Sequence, residues 1–224
     1  MNDTATIDPA DATLDELRLI LAPAIATNAI FDGWNEASLN AAAAEKGVDT
    51  DVARLAFTGG AMDMIDAWIA TVDLAMEAEL PAGKLAEMKI RERIRALVWF
   101  RLQQAGGLEE AVRRATGVMA QPQNAPRSLK IGWRSADMMW RLAGDTATDY
   151  NHYTKRTILA GLYSATLLHW LDDESEGKAE TAAFLDRRID NVMQFEKAKA
   201  QLLKPRDETF SFARFLGRLR YPAR

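Results

Sequence analysis

Apolar residues recur at helical spacing from Leu14 onward and nowhere alternate over the length of a strand, so the chain reads as a succession of helices. Leu17, Leu21, Ile25 and Ile30 follow a period near 3.6, with Asp15 and Glu16 suited to a first turn and Asp32-Gly33 to a stop. The same pattern predicts helices over 35–46, 50–57, 61–78, 84–104, 108–119, 127–143, 148–171, 180–203 and 208–219. In the 84–104 segment Ile90, Ile94, Leu97 and Val98 share one face, and Arg91, Glu92, Arg93 and Arg95 lie around the other. Gly47, Gly59-Gly60, Pro81 and Gly106-Gly107 punctuate the runs. In QPQNAP (121–126), Pro122 and Pro126 are expected to exclude helix. The expected fold class is all-α, with about ten helices.

The amino-terminal helices have a rhythm of their own: a long helix, Gly33-Trp34, a short Ala-rich helix, Gly47, a second short helix and a glycine break. That order resembles the helix-turn-helix of TetR-type folds, with Ala41 to Ala44 allowing close packing and the segment after Gly47 as the recognition helix. Charge opposes DNA binding there. Between Asn28 and Ala70, Lys46 and Arg54 face Asp32, Glu36, Glu45, Asp49, Asp51, Asp63 and Asp66, a balance of −5. Phosphate neutralisation supplies most of the affinity for DNA, and this face would repel the backbone. The expected organisation is a tail over 1–13, a helix-turn-helix-like part over 14–60, a ligand-binding and dimerisation domain over 61–203 and a basic amphipathic helix over 204–224.

The hydrophobic fraction of 48% and charged fraction of 27% are those of a soluble globular protein. The absence of cysteine removes disulfides, thiolate nucleophiles and Cys-based metal sites together. No apolar run approaches the ~18 residues of a membrane span. The acidic start MNDTATIDPADATLDE lacks an apolar core and has no arginine before Arg18, so neither a secretory signal nor a transit peptide is expected, and the mature chain is expected to begin there. The net charge of −4 divides into +4 over residues 204–224 and −8 elsewhere. A basic tail on an acidic body suggests an anionic partner for the tail, such as a membrane surface. In DETFSFARFLGRLRYPAR, Phe212, Phe215, Leu216 and Leu219 form one side of a helix, and Arg214 and Arg218 stand on another. The pattern fits an interfacial membrane helix, or else a terminal helix docked on its own core with a solvated basic face. The expected location is cytoplasmic, peripheral to the inner membrane.

Candidate chemistry is sparse. Asp149-x-x-His152 puts two side chains on one helical face, but a di-iron bundle needs four carboxylates and two histidines, and Thr166 precedes His169 at the matching spacing. No metal or other cofactor is expected. Ser135, Ser164 and Ser175 lie in no nucleophile motif. The middle helices are instead rich in Met62, Met64, Trp68, Met76, Met88, Trp99, Phe100, Trp133, Met138, Met139 and Trp140, a composition that suits either plain core or an adaptable apolar pocket. The pocket reading takes Trp68, Leu97, Phe100, Trp133, Met138 and Leu162 as its lining.

The stretch AGDTATDYNHYTKR (143–156), preceded by Asp137-Met138-Met139-Trp140 and followed by LAGLYSATLLHWLDD (159–173) and FLDRRIDNVM (184–193), resembles the ubiquinone-biosynthesis accessory proteins of the coenzyme Q nine family. The resemblance implies a TetR-like homodimer without DNA binding that encloses an isoprenoid lipid and approaches membranes through its carboxyl-terminal helix. It implies no catalysis. The implied partner is the di-iron demethoxyubiquinone hydroxylase, facing Asp137, Met139, Trp140, Leu142, Asp149, His152 and Tyr153. The family pattern has tryptophan where this chain has His152. Asp145 and Asp149 also suit the start of the helix from Thr148, and Lys155 and Arg156 suit either these carboxylates or a headgroup surface. A TetR-type transcriptional regulator with an apolar effector pocket is the alternative reading, and a lipid-modifying enzyme a third.

Overall fold

A computed structural model describes residue 9, residues 11–146 and residues 150–202. Among these residues there are ten α-helices and no strand: α1 (Leu14–Asp32), α2 (Glu36–Lys46), α3 (Thr50–Ala56), α4 (Ala61–Glu79), α5 (Ala82–Leu85), α6 (Ile90–Gln104), α7 (Glu109–Met119), α8 (Ala125–Leu142), α9 (Tyr150–Asp172) and α10 (Ala179–Leu202). The expected helix over 208–219 lies outside the described residues.

The amino-terminal elements are set by their caps. Thr13 and Glu16 form a reciprocal capping box at the head of α1. Asn35 and Asp49 accept backbone N–H groups at the heads of α2 and α3. Gly47 closes α2 in the left-handed conformation, at φ 67°. Trp34 is buried, donates from Nε1 to the Ala111 carbonyl at 2.7 Å and so fastens this part to α7. The first core joins Leu21, Ile25, Leu39, Phe57 and Ile65. A second core lies among α4, α6, α8, α9 and α10, and Trp68 packs against both.

Two expectations are corrected. The helix expected over 84–104 begins only at Ile90, and α5 is a separate turn. Lys89 is extended and its N–H donates to Glu92, while Arg93 donates to the carbonyls of Met88 and Ala86, both at 2.8 Å, so the 86–89 backbone is held by side chains rather than by a continuing helix. Pro122 and Pro126 do not exclude helix either. Pro122 opens a 3-10 turn (Pro122–Asn124) and Pro126 sits in the first turn of α8, where a missing N–H costs no helical hydrogen bond.

Ion pairs weld the seam between α4 and α8. Arg127 meets Asp63 and, at 3.6 Å, Asp66; Arg134 meets Asp66 at 2.7 Å and Asp73 at 3.7 Å; Arg101 of α6 closes the series on Asp73 inside the core. The α9–α10 turn is held by Asp173, whose buried carboxylate accepts the N–H and hydroxyl groups of both Ser175 and Thr181. Burial opposes this charge, but those four donors outweigh it and hold the Asp173 carboxyl far below the usual carboxylate range. Because the folded value is depressed, the stabilisation is fully present above about pH 4, where unfolded aspartate is ionised, and is lost as pH falls toward the folded value. Thermal unfolding of Asp173→Asn against the parent chain is therefore expected to show a deficit that is largest near neutrality and shrinks below about pH 4. A deficit that stayed constant down to pH 2 would refute the linkage.

Candidate functional site

The corner between α8 and α9 carries the polar and aromatic residues in excess of what packing requires. α8 ends at Leu142 with Ala143 as its cap, and Gly144 adopts φ 88°, allowing Asp145 N–H to reach back to the Trp140 carbonyl at 2.9 Å. A Cβ on Gly144 would stand 3.1 Å from Arg93 Nη1, which donates to the Ala143 carbonyl at 2.7 Å. Glycine is thus favoured by the backbone conformation, and a larger residue would also press on the Arg93 guanidinium.

Arg156 of α9 organises the corner. Its side chain is 2% exposed; Nε donates to Asp137 of α8 at 2.5 Å, and Nη1 donates to Asp145 and to the His152 carbonyl, both at 3.1 Å. Lys155 Nζ meets the other oxygen of Asp145 at 2.6 Å, and the Lys155 carbonyl accepts Trp140 Nε1–H at 2.9 Å. Lys155 and Arg156 therefore pair with carboxylates of their own chain. Asp137 is shared with Arg141, one turn on, at 2.8 Å.

Around this frame the expected docking residues separate into two layers. Tyr153 is 62% exposed, its ring centre 5.8 Å from Trp133 and 5.2 Å from His152. Asp137, Trp140 and His152 are half-buried, and Met139 and Leu142 point into the second core. Asp149 lies outside the described residues. Trp133, expected in the pocket, instead joins the surface rings and lines a cleft of about 710 Å³ beside Arg127, Lys130 and Arg134.

The other expected pocket residues are core side chains. Leu97 is fully buried, and Trp68, Phe100 and Met138 are partly buried against the second core. Leu162 alone of the six lines an apolar crevice among α6, α9 and α10, together with Ile94, Trp140, Leu159, Ile189 and Met193. The crevice holds about 50 Å³, against roughly 300–1,000 Å³ for a pocket that encloses a small ligand. A broader groove of about 420 Å³ runs along the outer faces of α9 and α10, past Ile158, Gly161, Ala165 and Val192.

The helix-turn-helix-like face is already neutralised from within. Lys46 pairs with Glu45, and Arg54 with Glu36 at 2.6 Å and Asp51 at 2.8 Å. Val52 and Leu55 are the exposed apolar residues of α3. The membrane-facing residues expected at Phe212, Arg214, Phe215, Leu216, Arg218 and Leu219 lie outside the described residues. Among the described residues no helix is long and apolar enough to cross a membrane.

The α8–α9 corner falls inside the segment that known proteins share. Residues 125–196 match the COQ9 family. The match takes in α8, α9 and α10 up to residue 196. The mitochondrial ubiquinone biosynthesis protein COQ9 of Rattus norvegicus is 36% identical over 120 residues, and its namesake in Homo sapiens 32% over the same length. Each alignment covers 54% of this chain but 38% of the COQ9 protein compared. In architecture the chain is similar to a TetR transcriptional regulator from Nitrosomonas europaea, with a TM-score of 0.62 at 23% identity over 78% of this chain and 96% of that one. The TetR-like, all-α fold and the COQ9 resemblance expected from the sequence are thus both present. Of the two readings open for Lys155 and Arg156, carboxylates or a headgroup surface, both side chains take Asp145; the contact of Arg156 with Asp137 of α8, which makes it the organiser of the corner, was not among the expectations.

Proposed function

We propose that the chain is a non-catalytic accessory protein of ubiquinone biosynthesis that binds an isoprenoid quinone intermediate and presents it to a demethoxyubiquinone hydroxylase at a membrane. The observation that carries this reading is the α8–α9 corner: a framework of buried ion pairs holds Tyr153, His152 and Trp133 at the surface, within the segment shared with COQ9 proteins. Exposed aromatics on a rigid base are the anchors of protein interfaces. No bond-making constellation is needed for such a role. Tyr153→Ala is expected to weaken binding of purified hydroxylase by roughly tenfold or more, the range of an interface anchor, without moving the unfolding midpoint. Unchanged affinity in a titration would remove Tyr153 from the interface.

The lipid part of the reading is supported by the apolar crevice, whose wall includes the flexible side chain of Met193, and native mass spectrometry after organic extraction tests it. Recovery of no isoprenoid lipid from the purified chain would sink it. The apolar groove along α9 and α10, with Leu168 exposed beside it, supports assembly as a homodimer through these two helices. For the membrane part, deletion of 208–224 is expected to lower binding to anionic liposomes; undiminished binding would place the contact elsewhere. The competing reading, a TetR-type regulator with an apolar effector, requires sequence-specific DNA binding. The internally paired bases of α2 and α3 and their surplus of carboxylates oppose it, and specific affinity for DNA at low salt would reverse the ranking.

A further inference from the structure

The second core contains one cation that does not use all of its donors. Arg101 is 3% exposed among apolar neighbours. One guanidinium nitrogen meets Asp73, another donates to Ser135 Oγ at 3.2 Å, and the Tyr163 ring centre lies 4.9 Å from the guanidinium carbon. Arg101 Nε has no hydrogen-bond partner among the described residues. An unpaired buried N–H is destabilising, and a buried ion pair is seldom better than apolar packing, so core stability does not by itself account for this arginine.

Its neighbourhood supplies a second observation. Ile94, Leu97 and Arg101 stand on one face of α6 at i, i+3 and i+7, and Ile94 is in the wall of the apolar crevice. At 1.5 Å per residue Arg101 lies about 10 Å along the helix from that wall. Across from it on α9, Leu159 and Leu162 line the crevice and Tyr163 approaches the guanidinium. The apolar slot and the unpaired donor thus share one face of α6, about 10 Å apart, with the buried side chain of Leu97 between them. Met193 in the crevice wall is flexible enough to yield to a long tail.

We propose that Arg101 Nε donates a hydrogen bond to a ring oxygen of a prenylated quinone or phenol, whose tail widens the crevice among α6, α9 and α10. The inference rests on the lipid-binding reading above and adds the end of the ligand that is recognised. A neutral oxygen fits and a phosphate does not, because Asp73 already balances the charge of Arg101 and a second anion would be buried beside it.

The test titrates the full chain with two probes: a dimethoxy-methyl-benzoquinone carrying a two-isoprene tail, and an aryl analogue with the same tail and no ring oxygens. The parent chain is expected to bind the quinone about tenfold more tightly, the value of one buried hydrogen bond. Arg101→Lys keeps a charge opposite Asp73 but has no Nε–H, and is expected to bind the two probes with affinities within about twofold of each other. Equal binding of the two probes by the parent would overturn the inference and leave lipid binding standing, and this comparison needs no variant to fold. A quinone preference that survives in Arg101→Lys would also overturn it. Failure of the parent to bind either probe would sink the lipid-binding reading and the inference with it.

Discussion

Arg156→Met is expected to unfold at a markedly lower urea concentration, with a loss of about 3–5 kcal/mol, the cost of removing one partner from a buried ion pair. The replacement fills a similar volume, so the loss comes from charge rather than from a cavity. Asp137 and Asp145, whose side chains are 17% and 5% exposed, would be left without the guanidinium that joins them. Lys155 still meets Asp145 and Arg141 still meets Asp137, but neither bridges α8 to the turn and α9 together. Arg156→Lys keeps the charge but cannot make the fork to two carboxylates, and is expected to fall between the parent and Arg156→Met. A urea titration that placed Arg156→Met within 1 kcal/mol of the parent would show that the corner is held by packing instead.

Asp73→Ala is expected to be about as damaging, at roughly 3–5 kcal/mol, because it strands the Arg101 cation in the second core. Burial opposes that charge, and Tyr163 and Asp73 together outweigh it, so that the Arg101 value is raised rather than lowered in the folded protein. Arginine does not escape by losing its proton. The double replacement Asp73→Leu with Arg101→Met removes both charges, and is expected to recover most of the loss. A double-mutant cycle read by urea unfolding checks this; additive losses would mean that the two side chains do not depend on each other.

The helix order was legible in the sequence because its punctuation is local: Thr13, Asn35, Gly47 and Asp49 act within one turn of the helices they cap. The break before Ile90 was not, since Arg93 reaches carbonyls that periodicity does not report. Nor was the fate of Pro122 and Pro126, because a proline breaks a helix interior but suits a first turn, and only the boundary decides which applies. The docking residues could be picked out by type, but their depth could not. Met139 and Tyr153 look equally suited to an interface, yet one is fully buried and the other exposed, a difference fixed by how α8 turns against α6 and α9. The bridge that Arg156 makes between two carboxylates was not legible for the same reason: an Asp at 137 and an Asp at 145 come together only when the Gly144 turn folds back.

The ion pairs between α4 and α8 differ in their access to solvent, which makes the seam uneven in its response to ionic strength. At one end Arg127 and Asp63 have side chains 37% and 13% exposed; at the other, Asp73 of α4 is 4% exposed and is joined to α8 inside the core, through the Ser135 hydroxyl at 3.2 Å, with Arg101 of α6 bridging the two. Salt screens the first pair far more than the last. Rising salt therefore loosens α8 from the beginning of α4, next to the helix-turn-helix-like part, while the contact deep in the second core persists, and the two helices part like a zipper opened from one end.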